Sequence, residues 1–158
     1  MILVLHNIRS VYNVGSIFRT ADAAGVSRVI LSGYTPTPVD RFSTPRKDFA
    51  KVSLGAEKSV PWAQKKQNLP SLIKYLRDED FMIVALEQAK NAVPLYDFKP
   101  PKNKKIALVL GNEVRGLSRA VLKLCDKVVE IPMRGKKESL NVSVVAGVAM
   151  FALLSKKL

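Results

Sequence analysis

Three polar segments interrupt an otherwise apolar pattern, and they hold most of the residues able to do chemistry. The first runs Asn7-Ile8-Arg9-Ser10-Val11-Tyr12-Asn13-Val14-Gly15-Ser16-Ile17-Phe18-Arg19-Thr20-Ala21. Its donors lead into the start of a helix, a place that suits an anion such as phosphate. Asn13 is there an N-cap or a substrate ligand. Arg19, expected in the second turn near the glycine turn at Gly15, is a phosphate fork or an ion-pair partner of Asp22. The second segment, Leu110-Gly111-Asn112-Glu113-Val114-Arg115-Gly116-Leu117-Ser118, has glycines that fit a sharp turn with close backbone approach to a ligand. The third, Ile131-Pro132-Met133-Arg134-Gly135-Lys136-Lys137-Glu138-Ser139-Leu140-Asn141-Val142-Ser143, carries a basic loop into a helix capped by Ser139 or Asn141.

Other chemistries are excluded. No strand is followed by the Rossmann glycine fingerprint, and no phosphate loop ends in Gly-Lys-Ser/Thr. One histidine and one cysteine cannot make a zinc site, so no metal is expected. His6 has no nucleophile partner and reads as structural. Cys125 reads as a packing residue, which fits a reducing cytoplasm. No targeting leader is visible at Met1–His6, and Val142–Leu154 is too short to span a bilayer.

The elements that must position these segments alternate between two periods. Apolar runs at Ile2–Leu5, Arg28–Leu31, Phe81–Leu86, Ile106–Leu110 and Val128–Ile131 read as strands. Helical spacing covers Val14–Ala21, with Asn13 at its start and Gly25 at its stop, and Leu69–Leu76, Ser118–Leu124 and Val142–Leu154. A further helix is expected near Pro45–Val52, after a loop over Gly33–Pro45, and Asn91–Lys104 reads as a Pro-rich connection. Apolar strands alternating with helices predict an α/β fold, a mainly parallel sheet with helices on both faces. All three polar segments fall where a strand ends or a helix begins, the edge at which such sheets bind ligands. The whole chain of 158 residues reads as one domain. The last helix is apolar nearly all round, so it is either a central core helix or is covered by a second subunit, with the first helix opposite.

Charge narrows the partner. The chain holds 26 Lys+Arg against 13 Asp+Glu, a net +13. The excess concentrates in Arg41–Lys66 and Lys99–Lys137. Such a field suits nucleic acid; a solvated basic surface is the plainer alternative, and a membrane surface fits less because no basic amphipathic helix stands out. Arg9, Arg41, Arg46, Lys47, Arg115, Arg134, Lys136 and Lys137 are the cations expected to meet RNA.

In this order and spacing the three segments resemble the three motifs of the SpoU (TrmH-like) family of SPOUT RNA methyltransferases. N-V-G-S-I-F-R-T-A resembles motif one, with Asn13 and Arg19; L-G-N-E-V-R-G-L-S resembles motif two, with Glu113; I-P-M followed by S-L-N-V-S resembles motif three, with Ser139 and Asn141. The resemblance spans Ile2 to Leu154. It implies a SPOUT-type sheet whose C-terminal part forms a deep trefoil knot, and a homodimer. It implies S-adenosylmethionine held by Leu86, Leu110, Gly111, Ile131, Met133, Ser139 and Leu140. It implies methylation of a ribose 2′-hydroxyl of a structured RNA, with Asn13, Arg19, Glu113, Ser139 and Asn141 as catalytic residues. A single-domain build is closer to the family's tRNA enzymes than to its rRNA enzymes. A non-catalytic RNA-binding relative and a base-directed methyltransferase are the alternatives. Two positions depart from the family pattern: Ser10-Val11 stands where many relatives have Asp-Pro, and Val114 where many have glycine. The family view makes Arg19 the general base, but an arginine stays protonated, and a fork that grips phosphate and a growing alkoxide suits it better.

Overall fold

The computed structural model describes residues 1–155. Its strands are β1 (Ile2–His6), β2 (Arg28–Ser32), β3 (Trp62–Lys65), β4 (Phe81–Leu86), β5 (Val93–Pro94), β6 (Lys105–Leu110) and β7 (Lys127–Glu130). They form one sheet in the order β3-β2-β1-β6-β4-β7-β5, every neighbouring pair parallel. Parallel strands need covered faces, and alternate residues supply them. Leu3, Leu5, Val29, Leu31, Leu108 and Leu110 point into one core, which also holds Val14, Phe18, Phe49 and Ala149. Ile2, Val4, Ile30, Ile83, Ala107 and Val109 point into the other, with Leu72, Ile73 and Val121.

The helices are α1 (Val11–Ala24), α2 (Lys47–Ser53), α3 (Ala56–Ser59), α4 (Leu69–Asp78), α5 (Arg119–Leu122) and α6 (Val142–Ser155). The expected elements all form, and two strands and the one-turn helix α3 were not anticipated. β3 (Trp-Ala-Gln-Lys) is a half-exposed edge strand without an apolar run, and β5 is two residues inside the Pro-rich connection. The start of α1 also differs from expectation. Ser10 is the N-cap, its side chain accepting the Asn13 N–H at 3.2 Å, so Asn13 lies inside the first turn. Ser10 thus takes the capping role expected of Asn13. Arg19 consequently falls in the third turn, about 12 Å along the axis from Val11. Gly15 is helical, not a turn. A Cβ there would strike Val52 Cγ2, so glycine lets α2 approach α1. Phe18 and Phe49 then meet edge to face at 5.2 Å.

The first helix lies against α6 within the same chain, where a Cβ on Gly147 would be 3.3 Å from Thr20 Cγ2. Val142, Ala146, Ala149, Met150 and Leu153 of α6 are buried. Val144 and Phe151, on the opposite side, are about half exposed (49% and 53%). The helix is therefore covered on one side only. No helix among the described residues is long and apolar enough to cross a membrane.

Candidate active site at the carboxyl edge of the sheet

A cleft of ≈ 690 Å³ opens beyond the C-terminal ends of β4, β6 and β7. All seven residues expected to hold a cofactor line it: Leu86, Leu110, Gly111, Ile131, Met133, Ser139 and Leu140. Asn13, Glu113, Asn141 and Arg115 line it as well. Arg19 does not, and it stands exposed on α1. Six residues along a helix rotate a side chain about 120° from its starting face. Arg19 thus points away from Asn13, on the strip Tyr12-Ser16-Arg19-Ala23. The ion pair with Asp22 does not form; Asp22 accepts the Ser59 hydroxyl instead.

The polar centre of the cleft is a relay of three side chains drawn from the three polar segments. Asn141 Nδ2 donates to Asn13 Oδ1 at 3.1 Å. Asn13 Nδ2 donates to Glu113 Oε1 at 3.3 Å. The Glu113 carboxylate also accepts the Arg9 N–H at 3.0 and 3.2 Å and the Ser10 N–H at 3.4 Å. The donors leading into α1 are therefore taken by a carboxylate of the protein. The expected phosphate at that helix start is corrected to Glu113, the same physics serving a different anion. Burial pushes the Glu113 carboxyl up, but the N–H groups of Arg9, Glu113 itself and Ser10 and the Asn13 amide outweigh it and hold the group below its usual range. Asn141 is also the cap of α6: its Oδ1 accepts the Ser143 N–H at 2.8 Å and the Ser143 hydroxyl at 2.6 Å. Of the two expected caps, Asn141 is the one used.

Several lining residues were not singled out in the sequence. Glu87 Oε2 accepts the Leu117 N–H at 2.8 Å and Oε1 the Gln88 N–H at 3.1 Å. Gln88 Nε2 in turn donates to the Glu138 carbonyl at 2.7 Å, tying the β4 loop to the third polar segment. Asn112 is buried and satisfied: its amide donates to the Asn7 carbonyl (2.9 Å) and the Tyr34 hydroxyl (2.8 Å), and its oxygen accepts the Val114 and Arg115 N–H groups. The available signal for Glu87 was its place immediately after an apolar strand, at the edge where ligands bind. Gly111 is required at this point because a Cβ would lie 2.7 Å from the Gly116 carbonyl carbon. Gly116 itself has φ +61° and lies against the Glu87 carboxylate.

Arg9, Arg41, Lys47, Arg115, Arg134, Lys136 and Lys137 are exposed, and among the described residues none is ion-paired. Arg46 is the exception: it grips Asp48 at 2.7 and 3.1 Å, and that hydrogen bond raises its pKa. His6 is half-buried between Ser32 (2.8 Å) and Asn7 (3.0 Å), and burial lowers its pKa. Cys125 is only partly buried, and burial first, with the Asp126 charge, pushes its thiol up to about 11. Among the described residues no group of three His, Cys, Asp or Glu could hold a metal ion.

A parallel α/β sheet with a cleft and a polar relay at its carboxyl edge has the arrangement of a ligand-binding α/β protein. The chain belongs to the SpoU rRNA Methylase family, whose pattern matches residues 1–151. It is 35% identical over 158 residues to the 23S rRNA (guanosine-2′-O-)-methyltransferase RlmB of Ralstonia nicotianae, across 99% of this chain and 59% of RlmB. The chain thus spans about three-fifths of the length of the curated relatives it matches. Its fold superposes with TM-score 0.83 on an AdoMet-bound rRNA methyltransferase of Sinorhizobium meliloti, at 29% identity, covering 96% of this chain and 54% of that one. A structure described by its work on 2′-OH methylation of C/U34 on tRNA shares the fold at TM-score 0.80 and 24% identity, covering 99% of this chain and 94% of that chain.

Proposed function

We propose that the chain is an S-adenosylmethionine-dependent RNA methyltransferase that methylates a ribose 2′-hydroxyl of a structured RNA in the cytoplasm, tRNA before rRNA. The single observation that carries this is the Asn141–Asn13–Glu113 relay standing on the rim of a cleft lined by all seven expected cofactor residues. The cleft fits the cofactor: ≈ 690 Å³ lies within the range of roughly 300–1,000 Å³ for small-molecule sites, with apolar walls from Leu86, Leu110, Ile131 and Leu140. Gly111 lets the Gly116 backbone close against the cleft loop, where a Cβ would collide with it. When bound, S-adenosylmethionine supplies an already activated methyl group.

The chain's own task is to hold the ribose oxygen and accommodate its developing charge. Glu113, kept ionised by four N–H donors, fixes the Asn13 amide, and Asn141 fixes it from the other side. Ser139 and Asn141 form the rim over which the ribose enters. Arg19 serves as a fork for phosphate and alkoxide. It faces away from its own cleft on the exposed side of α1, and α6, packed against α1, leaves Val144 and Phe151 half exposed. A second copy covering that apolar strip makes a homodimer and carries Arg19 to the partner's rim. In keeping with the family resemblance, the path that brings the loops after β4, β6 and β7 to one cleft is the trefoil knot. The curated relatives carry both kinds of name, 23S rRNA methyltransferase and tRNA/rRNA methyltransferase.

Calorimetric titration with S-adenosylhomocysteine, the stable product, tests the cofactor half of the proposal. Saturable binding near micromolar or weaker is expected; no heat and no thermal shift at millimolar ligand overturns it and leaves a non-catalytic RNA binder.

A further inference from the structure

A second cleft, of ≈ 760 Å³, opens along the same sheet edge at the ends of β2 and β3. It is walled by the loop from Thr35 to Arg46 and by Trp62, Gln64 and Lys66. Its composition differs from that of the cofactor cleft: two aromatic rings stand among cations. Phe42 is 72% exposed, with the Arg41 guanidinium 4.7 Å from its ring centroid. The loop that carries them is held from within. Asp40 Oδ1 accepts the Phe42 N–H at 2.8 Å and the Thr44 N–H at 2.9 Å, and Arg46 is anchored on Asp48. Asp40 and Asp48 are thus engaged by the loop itself, and Arg41 and Lys66 face solvent unpaired by any described carboxylate.

The loop is also fixed to the methyl-transfer site. Gly33 and Asn7 both have positive φ (64° and 58°), and a Cβ on Gly33 would strike Asn7 Oδ1. That oxygen accepts the Tyr34 N–H at 3.2 Å, and the Tyr34 hydroxyl accepts from Asn112 at 2.8 Å. β3 and β6 are three places apart in the sheet, so the two clefts lie about 14 Å apart, three strand spacings.

We propose that this cleft seats an unpaired base of the substrate strand, belonging to a nucleotide that flanks the one to be methylated. The base stacks on the Phe42–Arg41 pair, and its phosphate lies on Arg41 and Lys66. A paired base has both faces covered in the helix, so an exposed ring beside cations suits an unpaired one. That the strand is RNA rests on the methyltransferase reading above; the cleft's preference for a single strand rests on the cleft alone.

The chain has one tryptophan, Trp62, and it stands in the cleft wall, so its emission reports occupancy independently of methyl transfer. Titration with hexaadenylate RNA should change Trp62 fluorescence saturably and more tightly than an RNA duplex of the same length. Phe42→Ala should weaken hexaadenylate binding about five- to hundred-fold, the range expected for one lost base–aromatic stack. Phe42→Tyr should restore it, and S-adenosylhomocysteine affinity should not change in either variant. Hexaadenylate bound at unchanged Trp62 emission, equal affinity for Phe42→Ala, or preference for the duplex overturns the proposal. Methyl transfer that persists alongside any of these leaves the enzyme reading standing and removes only the cleft. Stacking as described in a chain that methylates no RNA does the reverse.

Discussion

Asn141 and Asn13, 128 residues apart, meet at 3.1 Å where the start of α6 crosses the start of α1. Asn141 has two duties there, and two substitutions separate them. Asn141→Ala removes the α6 cap and should cost about 1 kcal/mol of stability, read by thermal unfolding. Asn141→Asp keeps the acceptor for Ser143 but removes the donor to Asn13. Its stability should stay near that of the parent while methyl transfer falls about 10- to 100-fold, the scale of a misplaced reacting group.

Glu113 gives a pH signature. Its folded pKa lies below the usual value of 4.5, so its contribution to stability is full above that value. The contribution is lost as the pH falls through the lowered folded value. Glu113→Gln should therefore lie below the parent in melting temperature at pH 7, and the two curves should converge on acidification below pH 4.5. A constant gap across the acid range would show that ionisation of Glu113 is irrelevant to the start of α1.

Arg19→Ala should leave cofactor affinity unchanged and cut the single-turnover rate by about 10²–10³, the usual loss for one oxyanion donor. Its place on α1 adds a sharper test. Inactive Arg19→Ala and inactive Glu113→Ala subunits, mixed and allowed to exchange, should regain about a quarter of the parent's sites if Arg19 works across the two-fold axis. No recovery would place Arg19 in its own subunit's site.

The half-covered α6 predicts the assembly. Phe151→Glu should shift the sedimenting species from dimer to monomer and abolish activity together with it. A parent chain that sediments as a monomer at micromolar concentration contradicts the dimer.

RNA affinity should fall steeply with salt, about 0.7 log units per log unit of salt for each single-strand phosphate neutralised. Arg41→Ala, Arg134→Ala and Lys137→Ala should each flatten the slope. Arg46→Ala should change it less, because Asp48 already holds that guanidinium at 2.7 Å.

The legible part of this molecule was whatever local pattern dictates. Phe81–Leu86 and Ile106–Leu110 are short apolar runs that read as inner strands, and the three polar segments fall where a strand ends or a helix begins. β3 escaped because an edge strand needs no apolar run, and β5 because two residues carry no period. The start of α1 was misplaced because Ser10 and Asn13 are both good caps, and the choice is made by Glu113, about a hundred residues away. Long-range bonds such as Asn112 to Tyr34, or Glu87 to Leu117, leave no mark on local sequence, so the bracing of the cleft had to come from the structure.

The most direct measurement is transfer of labelled methyl from S-adenosylmethionine to separate tRNA and rRNA pools, followed by nuclease digestion. The account predicts label in tRNA, recovered in nuclease-resistant dinucleotides, because a 2′-O-methyl blocks cleavage at its own phosphodiester. Label confined to rRNA would correct the substrate. Label recovered on a free base, or none in either pool with cofactor bound, would contradict the central claim that this cleft methylates a ribose hydroxyl.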